Sequence, residues 1–155
     1  MTIQQYFDKI NNFALAENKM QHYKSSDLES LILKILPEAD KIYFRLDALF
    51  QNSAHNVFAI NPEVIALIKD RSGLVFIDEK GTGNVCFINN EELRPEFKQN
   101  YTAIDLLDFS YAILHSSIYK KDLKSDNQKI PIPLDSDVFW RLVQIGSDIR
   151  KKESK

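Results

Sequence analysis

The chain has 155 residues, a formal net charge of −2 at pH 7, a pI near 5.9 and a single cysteine, Cys86. Its length fits one domain, or one domain with a helical appendage, and one cysteine excludes an internal disulfide framework. The near-neutral charge excludes nucleic-acid binding through a general excess of positive charge, so DNA binding would require a local basic face.

The first fifty residues predict two amphipathic helices. Apolar side chains recur at helical spacing in residues 3–16, and this stripe requires a packing partner. A second helix begins at the capping cluster Ser25-Ser26-Asp27 and ends before Pro37. We expect the two helices to pack on each other or on the rest of the domain. Residues 39–51 mix two periods and predict either a short strand or a third helix.

The middle of the chain predicts a helix followed by a β-hairpin. Asn61-Pro62 is typical of a helix start, and Ser72-Gly73 is typical of a helix end. Residues 74–78 and 84–88 are rich in β-branched and aromatic side chains, and the glycines between them suit a turn. Cys86 lies in the second of these runs, where we expect a small buried side chain.

Two helices flank a polar connection in the last third of the chain. Residues 103–119 carry apolar side chains on more than one face, which predicts a central and mostly buried helix. Residues 130–133, Ile-Pro-Ile-Pro, must be extended because proline disfavours helix at the residue before it. The last helix begins near Ser136-Asp137. The fold class we predict is α+β, with a small antiparallel sheet around the 74–88 hairpin packed by helices.

The order of motifs from residue 105 onward resembles one family. An apolar helix contains Leu114-His115-Ser116, an Ile-Pro-Ile-Pro stop follows, and Phe139-Trp140 leads the last helix. This order is similar to the C-terminal target-recognition (specificity) domain of type ISP and related single-chain restriction-modification enzymes and DNA adenine methyltransferases. The resemblance is best over residues 104–151 and extends back to residue 56.

The resemblance implies a domain organisation and a role. It suggests a target-recognition domain 56–151, and the helical periodicity before it and the charged residues after it suggest a helical segment 1–55 and a frayed tail 152–155. In that family the domain binds duplex DNA and selects the target, while other domains methylate, translocate or cleave. We therefore expect a non-catalytic, cytoplasmic protein of bacterial type, with a methyltransferase or nuclease polypeptide as partner. The chain is then either a fragment of a larger enzyme or a stand-alone relative.

The same resemblance directs attention to cations in loops, where binding residues commonly lie. Residues 120–129 form a polar connection that contains four lysines, and two further cations lie near the predicted hairpin. We expect these side chains to contact DNA, and the alternative for each is a solvated surface residue. The candidates are Lys80, Arg94, Lys120, Lys121, Lys124 and Lys129.

The sequence offers no convincing catalytic, metal or cofactor site. His115 has Asp105 and Asp108 on preceding turns, but Ser116 is adjacent to it and points elsewhere on a helix. A helix-end histidine that caps carbonyls or contacts a partner is the simpler interpretation. The histidines lack the spacing of zinc ligands, and Gly81 and Gly83 suit a hairpin turn better than a phosphate loop. We expect no cofactor and no metal.

A second hypothesis is a protein-interaction or dimerisation module that keeps the fold without binding DNA. It would use the apolar stripe of residues 3–13, and a homodimer through the N-terminal helices is one form of it. A basic patch on the folded surface favours DNA binding, whereas an exposed apolar groove favours the interaction module. The sequence also contains no candidate membrane span, so no membrane partner is expected.

Overall fold

The computed structural model describes residues 3–15, 26–35, 41–52, 58–77, 99–116 and 129–153. Within these residues there are five α-helices. Their bounds are α1 Ile3–Leu15, α2 Ser26–Ile35, α3 Pro62–Ser72, α4 Ala103–Leu114 and α5 Ser136–Glu153. The helices predicted from residues 3–16, from the Ser25 cluster, from Asn61-Pro62, from residues 103–119 and from Ser136 are all present. Residues 117–119 lie outside the described part of the chain.

Six short strands accompany the helices: β1 Tyr43–Arg45, β2 Phe50–Asn52, β3 Phe58–Ile60, β4 Val75–Phe76, β5 Asn100–Tyr101 and β6 Lys129–Pro131. Strands β1 and β6 pair antiparallel, as do β2 and β3, while β4 and β5 pair in parallel. A 3-10 helix, Leu46–Ala48, separates β1 from β2. The fold class is α+β, as predicted, and residues 39–51 contain both a strand and a short helix.

The hairpin predicted at residues 74–88 is described only in its first half. Val75 and Phe76 are extended, but their partner within the described residues is Asn100–Tyr101 in parallel register. The predicted second strand, with Cys86 and the two glycines, lies outside the described residues. The antiparallel pairing that the structure does describe is therefore in β1–β6 and β2–β3.

The ends of α3 follow from local sequence. The Asn61 side chain accepts a hydrogen bond from the Glu63 amide at 3.0 Å, and Pro62 occupies the first turn, where no amide donor is needed. Gly73 ends the helix with φ of 76°, a left-handed conformation that favours glycine. These caps place the end of α3 beside the 130–133 segment.

Helix α4 lies at the centre of the core. Every residue from 106 to 116 is buried, including the polar Asp108, Ser110, His115 and Ser116. Helix α5 packs along one side of α4, and Gly146 allows the closest approach, because a Cβ there would lie 1.9 Å from the Asp108 carbonyl oxygen. A helix that is apolar on all faces must be enclosed, and the predicted central, mostly buried helix is confirmed.

The N-terminal helices pack on this centre. From α1, Tyr6 and Ile10 are buried, and the Tyr6 and Phe13 rings contact the Tyr111 ring of α4 edge-on. From α2, four apolar residues are buried, and Ser116 donates a hydrogen bond to Glu29 at 2.6 Å. The stripe of residues 3–13, which the interaction hypothesis assigned to dimerisation, is therefore covered within the chain, and only Ile3 remains 37% exposed.

No helix among the described residues is both long enough and apolar enough to span a membrane.

Candidate nucleic-acid interface

The β1–β6 pair brings together two segments from distant parts of the chain. Phe44 and Ile130 are paired in register and point into the core, with exposures of 3% and 0%. Side chains alternate across a strand, so Tyr43 and Arg45 lie on the opposite face of β1 from Phe44. The burial of Phe44 and Ile130 fixes this register, because a slip by one residue would turn them to solvent.

Two cations lie directly opposite each other on the outer face of this pair. Arg45 is the register partner of Lys129, and the Lys129 Nζ lies 4.8 Å from the centroid of the Tyr43 ring. Opposed like charges destabilise a pair of strands, whereas a cation over an aromatic face is attracted to it. We call Tyr43, Arg45 and Lys129 the cationic strand pair. Such an arrangement concentrates positive charge on a rigid element.

An acidic side chain accompanies Arg45. Arg45 Nε donates to Asp47 Oδ1 and Arg45 Nη2 donates to Asp47 Oδ2, both at 3.1 Å. The two side chains are 42% and 51% exposed. An ion pair exposed to this extent is weak, and salt screens it further.

Helix α3 supports the end of β6. Arg71 Nε donates to the Ile132 carbonyl at 3.3 Å, and Ser72 Oγ donates to the Pro133 carbonyl at 2.5 Å. The Ile132 amide in turn donates to the Ile42 carbonyl at 3.2 Å. These bonds pair the Ile132 amide and the Ile132 and Pro133 carbonyls, and Ile130 and Pro131 of the predicted extended segment lie in β6. The pairing with β1 sets the position of Lys129, and the bonds from α3 hold the residues that follow β6.

Comparison with known families decides the kinship of the chain. The sequence profile of the type ISP C-terminal specificity domain matches residues 18–152, most of the chain. The chain belongs to this family. Comparisons with curated proteins and with solved structures gave no match. The specificity-domain match includes α2 and the β1–β6 pair, so it begins well before residue 56, the first residue of the resemblance seen in the sequence.

Membership of the type ISP specificity domain family implies a target-recognition role in restriction-modification. Such domains are typically non-catalytic. The division of the chain at residue 55 stays a prediction, although the family match crosses it.

Of the six predicted DNA contacts, the structure describes one. Lys129 is a strand residue of the cationic strand pair, where the sequence indicated a loop. The other five, Lys80, Arg94, Lys120, Lys121 and Lys124, lie outside the described residues, and their roles stay predictions. Arg45 was missed. The alternation Tyr-Phe-Arg from residue 43 was a signal for an outward-facing arginine, but only the pairing with β6 places it opposite Lys129.

Asp108 belongs to a buried ion pair that joins three helices. Arg150 Nε and Nη2 of α5 donate to its two oxygens at 2.9 and 3.0 Å, and the Tyr6 hydroxyl of α1 donates at 2.5 Å. Burial, followed by the Asp108 charge, raises the pKa of Tyr6, so the hydroxyl stays protonated. The hydrogen bond to Asp108 raises the pKa of Arg150. Asp108 is thus fully engaged in holding α1, α4 and α5 together.

His115 does not form a catalytic constellation with these groups. It is the C-cap residue of α4, as a helix-end histidine, and its ring stacks on Phe13 at 4.5 Å between centroids. The ring of Tyr111 meets it edge-on at 4.6 Å. His115 is only 4% exposed, so these aromatic contacts give it a packing role.

Phe139 and Trp140 are both in the core, at 2% and 3% exposure. Their rings stack on each other with centroids 5.1 Å apart and an angle of 8°. Adjacent positions on a helix usually face different directions, but these two large rings reach the same space. Neither ring is available for base stacking. Among the described residues there is no group of acidic, histidine or cysteine side chains that could hold a metal.

Proposed function

We propose that this chain is a non-catalytic reader of duplex DNA, and that the cationic strand pair contacts the phosphate backbone. It would act in the cytoplasm beside a polypeptide or domain that methylates or cleaves the DNA. The observation that carries the proposal is the opposition of Arg45 and Lys129 on an outer strand face within a specificity domain. Opposed like charges repel each other, so a phosphate bound between Arg45 and Lys129 would lower the free energy of this strand pair.

The neighbouring sequence supports the same surface. Lys120, Lys121 and Lys124 precede Lys129 in the chain, and Lys124 is five residues away from it. Five residues span at most about 18 Å even when fully extended. Together these cations offer up to five phosphate contacts, counting Arg45, on a chain whose net charge is −2.

The test is equilibrium binding of a fluorescent random duplex at about 50 and about 200 mM salt. Each phosphate contact adds about 0.9 to the slope of log affinity against log salt, so five contacts predict an affinity loss of about 500-fold over this range. The Arg45→Ala/Lys129→Ala variant should lower the slope by about 1.8, and the Lys120/Lys121/Lys124→Ala variant by about 2.7.

The matched control is Lys34→Ala/Lys151→Ala, which removes two exposed cations from α2 and α5. It makes the same change of net charge as Arg45→Ala/Lys129→Ala, and its slope should equal that of the wild type. Absence of binding at the lower salt concentration would overturn the proposal. So would equal losses for the control and for Arg45→Ala/Lys129→Ala, because binding would then depend on net charge alone.

A further inference from the structure

The cationic strand pair places two like charges close together on one strand face. Arg45 and Lys129 are register partners, so their Cβ atoms are neighbours on one face. Tyr43 attracts Lys129 to its ring, which stabilises the lysine without changing its charge. Asp47 lies beside this face and accepts two hydrogen bonds from Arg45. Asp47 therefore offsets the positive charge of one of the two opposed cations.

We propose that Asp47 is an internal counter-ion that occupies Arg45 until a DNA phosphate replaces it. The inference rests on the proposed function and adds a regulatory residue to the same surface. A carboxylate and a phosphate present the same pair of oxygen acceptors to a guanidinium. Asp47 consequently stabilises the free domain and weakens its binding to DNA, because a phosphate must displace it before it can bind Arg45.

The geometry allows this exchange. Arg45 and Asp47 are 42% and 51% exposed, so water can solvate both groups when they separate. The backbone of Asp47, in contrast, is fixed, because Leu46 and Leu49 on either side of it are fully buried. Asp47 thus stays within reach of Arg45 and can pair with it again when a phosphate leaves. It should lower the affinity for every duplex by the same factor, because each phosphate that binds Arg45 must first break this ion pair.

Two effects of opposite sign are expected from Asp47→Asn. The exposed ion pair contributes so little that its loss should tighten duplex binding only about two- to fivefold. The same change should slightly lower the thermal midpoint of the free domain, because the Arg45 and Lys129 charges then face each other without the carboxylate. A general change of net charge would raise affinity without involving Arg45.

A double-mutant cycle separates these explanations. Duplex affinity is measured for wild type, Asp47→Asn, Arg45→Gln and the double variant, at about 50 mM salt. Asp70→Asn, at an exposed position on α3, is the matched control for the loss of one negative charge. The account predicts that Asp47→Asn tightens binding more than Asp70→Asn does. It also predicts that the extra gain disappears in the Arg45→Gln background.

The outcomes distinguish this inference from the proposed function. If the wild type binds with salt dependence but Asp47→Asn raises the duplex affinity no more than Asp70→Asn does, the counter-ion role is overturned and DNA binding stands. An extra gain that persists in the Arg45→Gln background overturns it equally. If neither the wild type nor Asp47→Asn binds duplex at the lower salt concentration, the proposed function itself fails.

Discussion

Replacement of Gly146 by alanine is the sharpest test of how α4 and α5 pack. The added Cβ would lie 1.9 Å from the Asp108 carbonyl oxygen, 2.6 Å from its carbonyl carbon and 3.0 Å from its Cα. All three atoms belong to the backbone, so no side-chain rotation can relieve the overlap. The helices must separate by about 1.5 Å or more before the 1.9 Å contact becomes an ordinary one. That movement stretches the bonds of 2.9 and 3.0 Å between Arg150 and Asp108.

Three terms set the expected loss of stability. Overpacking costs about 1–3 kcal/mol, disruption of a buried ion pair adds up to about 3–5 kcal/mol, and the better helix propensity of alanine returns about 1 kcal/mol. We expect a net loss of about 2–5 kcal/mol, a large share of the stability of a small domain. Urea unfolding followed by far-UV circular dichroism measures it.

The matched control is Gly73→Ala, the same chemical change at a position where nothing lies within 4 Å of a Cβ. An alanine at this φ of 76° is strained, and we expect this backbone strain to be the only cost, about 1–2 kcal/mol. If Gly146→Ala is as stable as the wild type, or more stable as helix propensity alone would predict, the close packing of α4 on α5 is refuted.

Further predictions concern the buried polar groups. Arg150→Met leaves the Asp108 carboxylate without its cation and should lower the free energy of unfolding, measured in urea, by about 3–5 kcal/mol. Arg141→Met is the control, because its ion pair with Asp137 is exposed, and it should cost less than about 1 kcal/mol. Equal losses for the two variants would contradict the account. Burial raises the pKa values of Tyr6 and Tyr101, so both stay protonated in the folded chain while the unfolded chain loses these protons near pH 10. The free energy of unfolding should therefore fall as pH rises past about 10, and the fall should be smaller in Tyr6→Phe/Tyr101→Phe; the same fall in the wild type and in that variant would refute it. Thr102→Ala removes the capping box formed with Asp105 and should cost about 1 kcal/mol, whereas Thr102→Ser should retain most of the stability; a serine variant as unstable as the alanine variant would contradict a capping role.

The parts of the fold that sequence predicted are those fixed by local interactions. Asn61, Pro62 and Gly73 mark the ends of α3 because capping and positive φ involve only nearby backbone. The central position of α4 also followed from its composition, since apolar side chains on several faces require enclosure. The family resemblance was carried by the same region, and the specificity-domain match confirmed it.

What the sequence could not show depends on pairing between distant segments. Lys129 was predicted as a loop cation, but its role follows from its register with Arg45, and neither strand alone specifies that partner. Asp108 was considered beside His115 because both lie on one helix. Its actual partners come from α1 and α5, which periodicity along α4 does not reveal.

The measurement that tests the central claim most directly is a two-dimensional NMR titration of the ¹⁵N-labelled chain with duplex DNA at low salt. Both backbone amides and arginine Nε–H groups are observed, so contact with the strand face and with Arg45 is detected separately. We predict that the largest shifts fall on Tyr43, Arg45 and Lys129 and on the lysines that precede Lys129. Largest shifts on the exposed faces of α1 or α2, with the β1–β6 pair unchanged, would contradict the account.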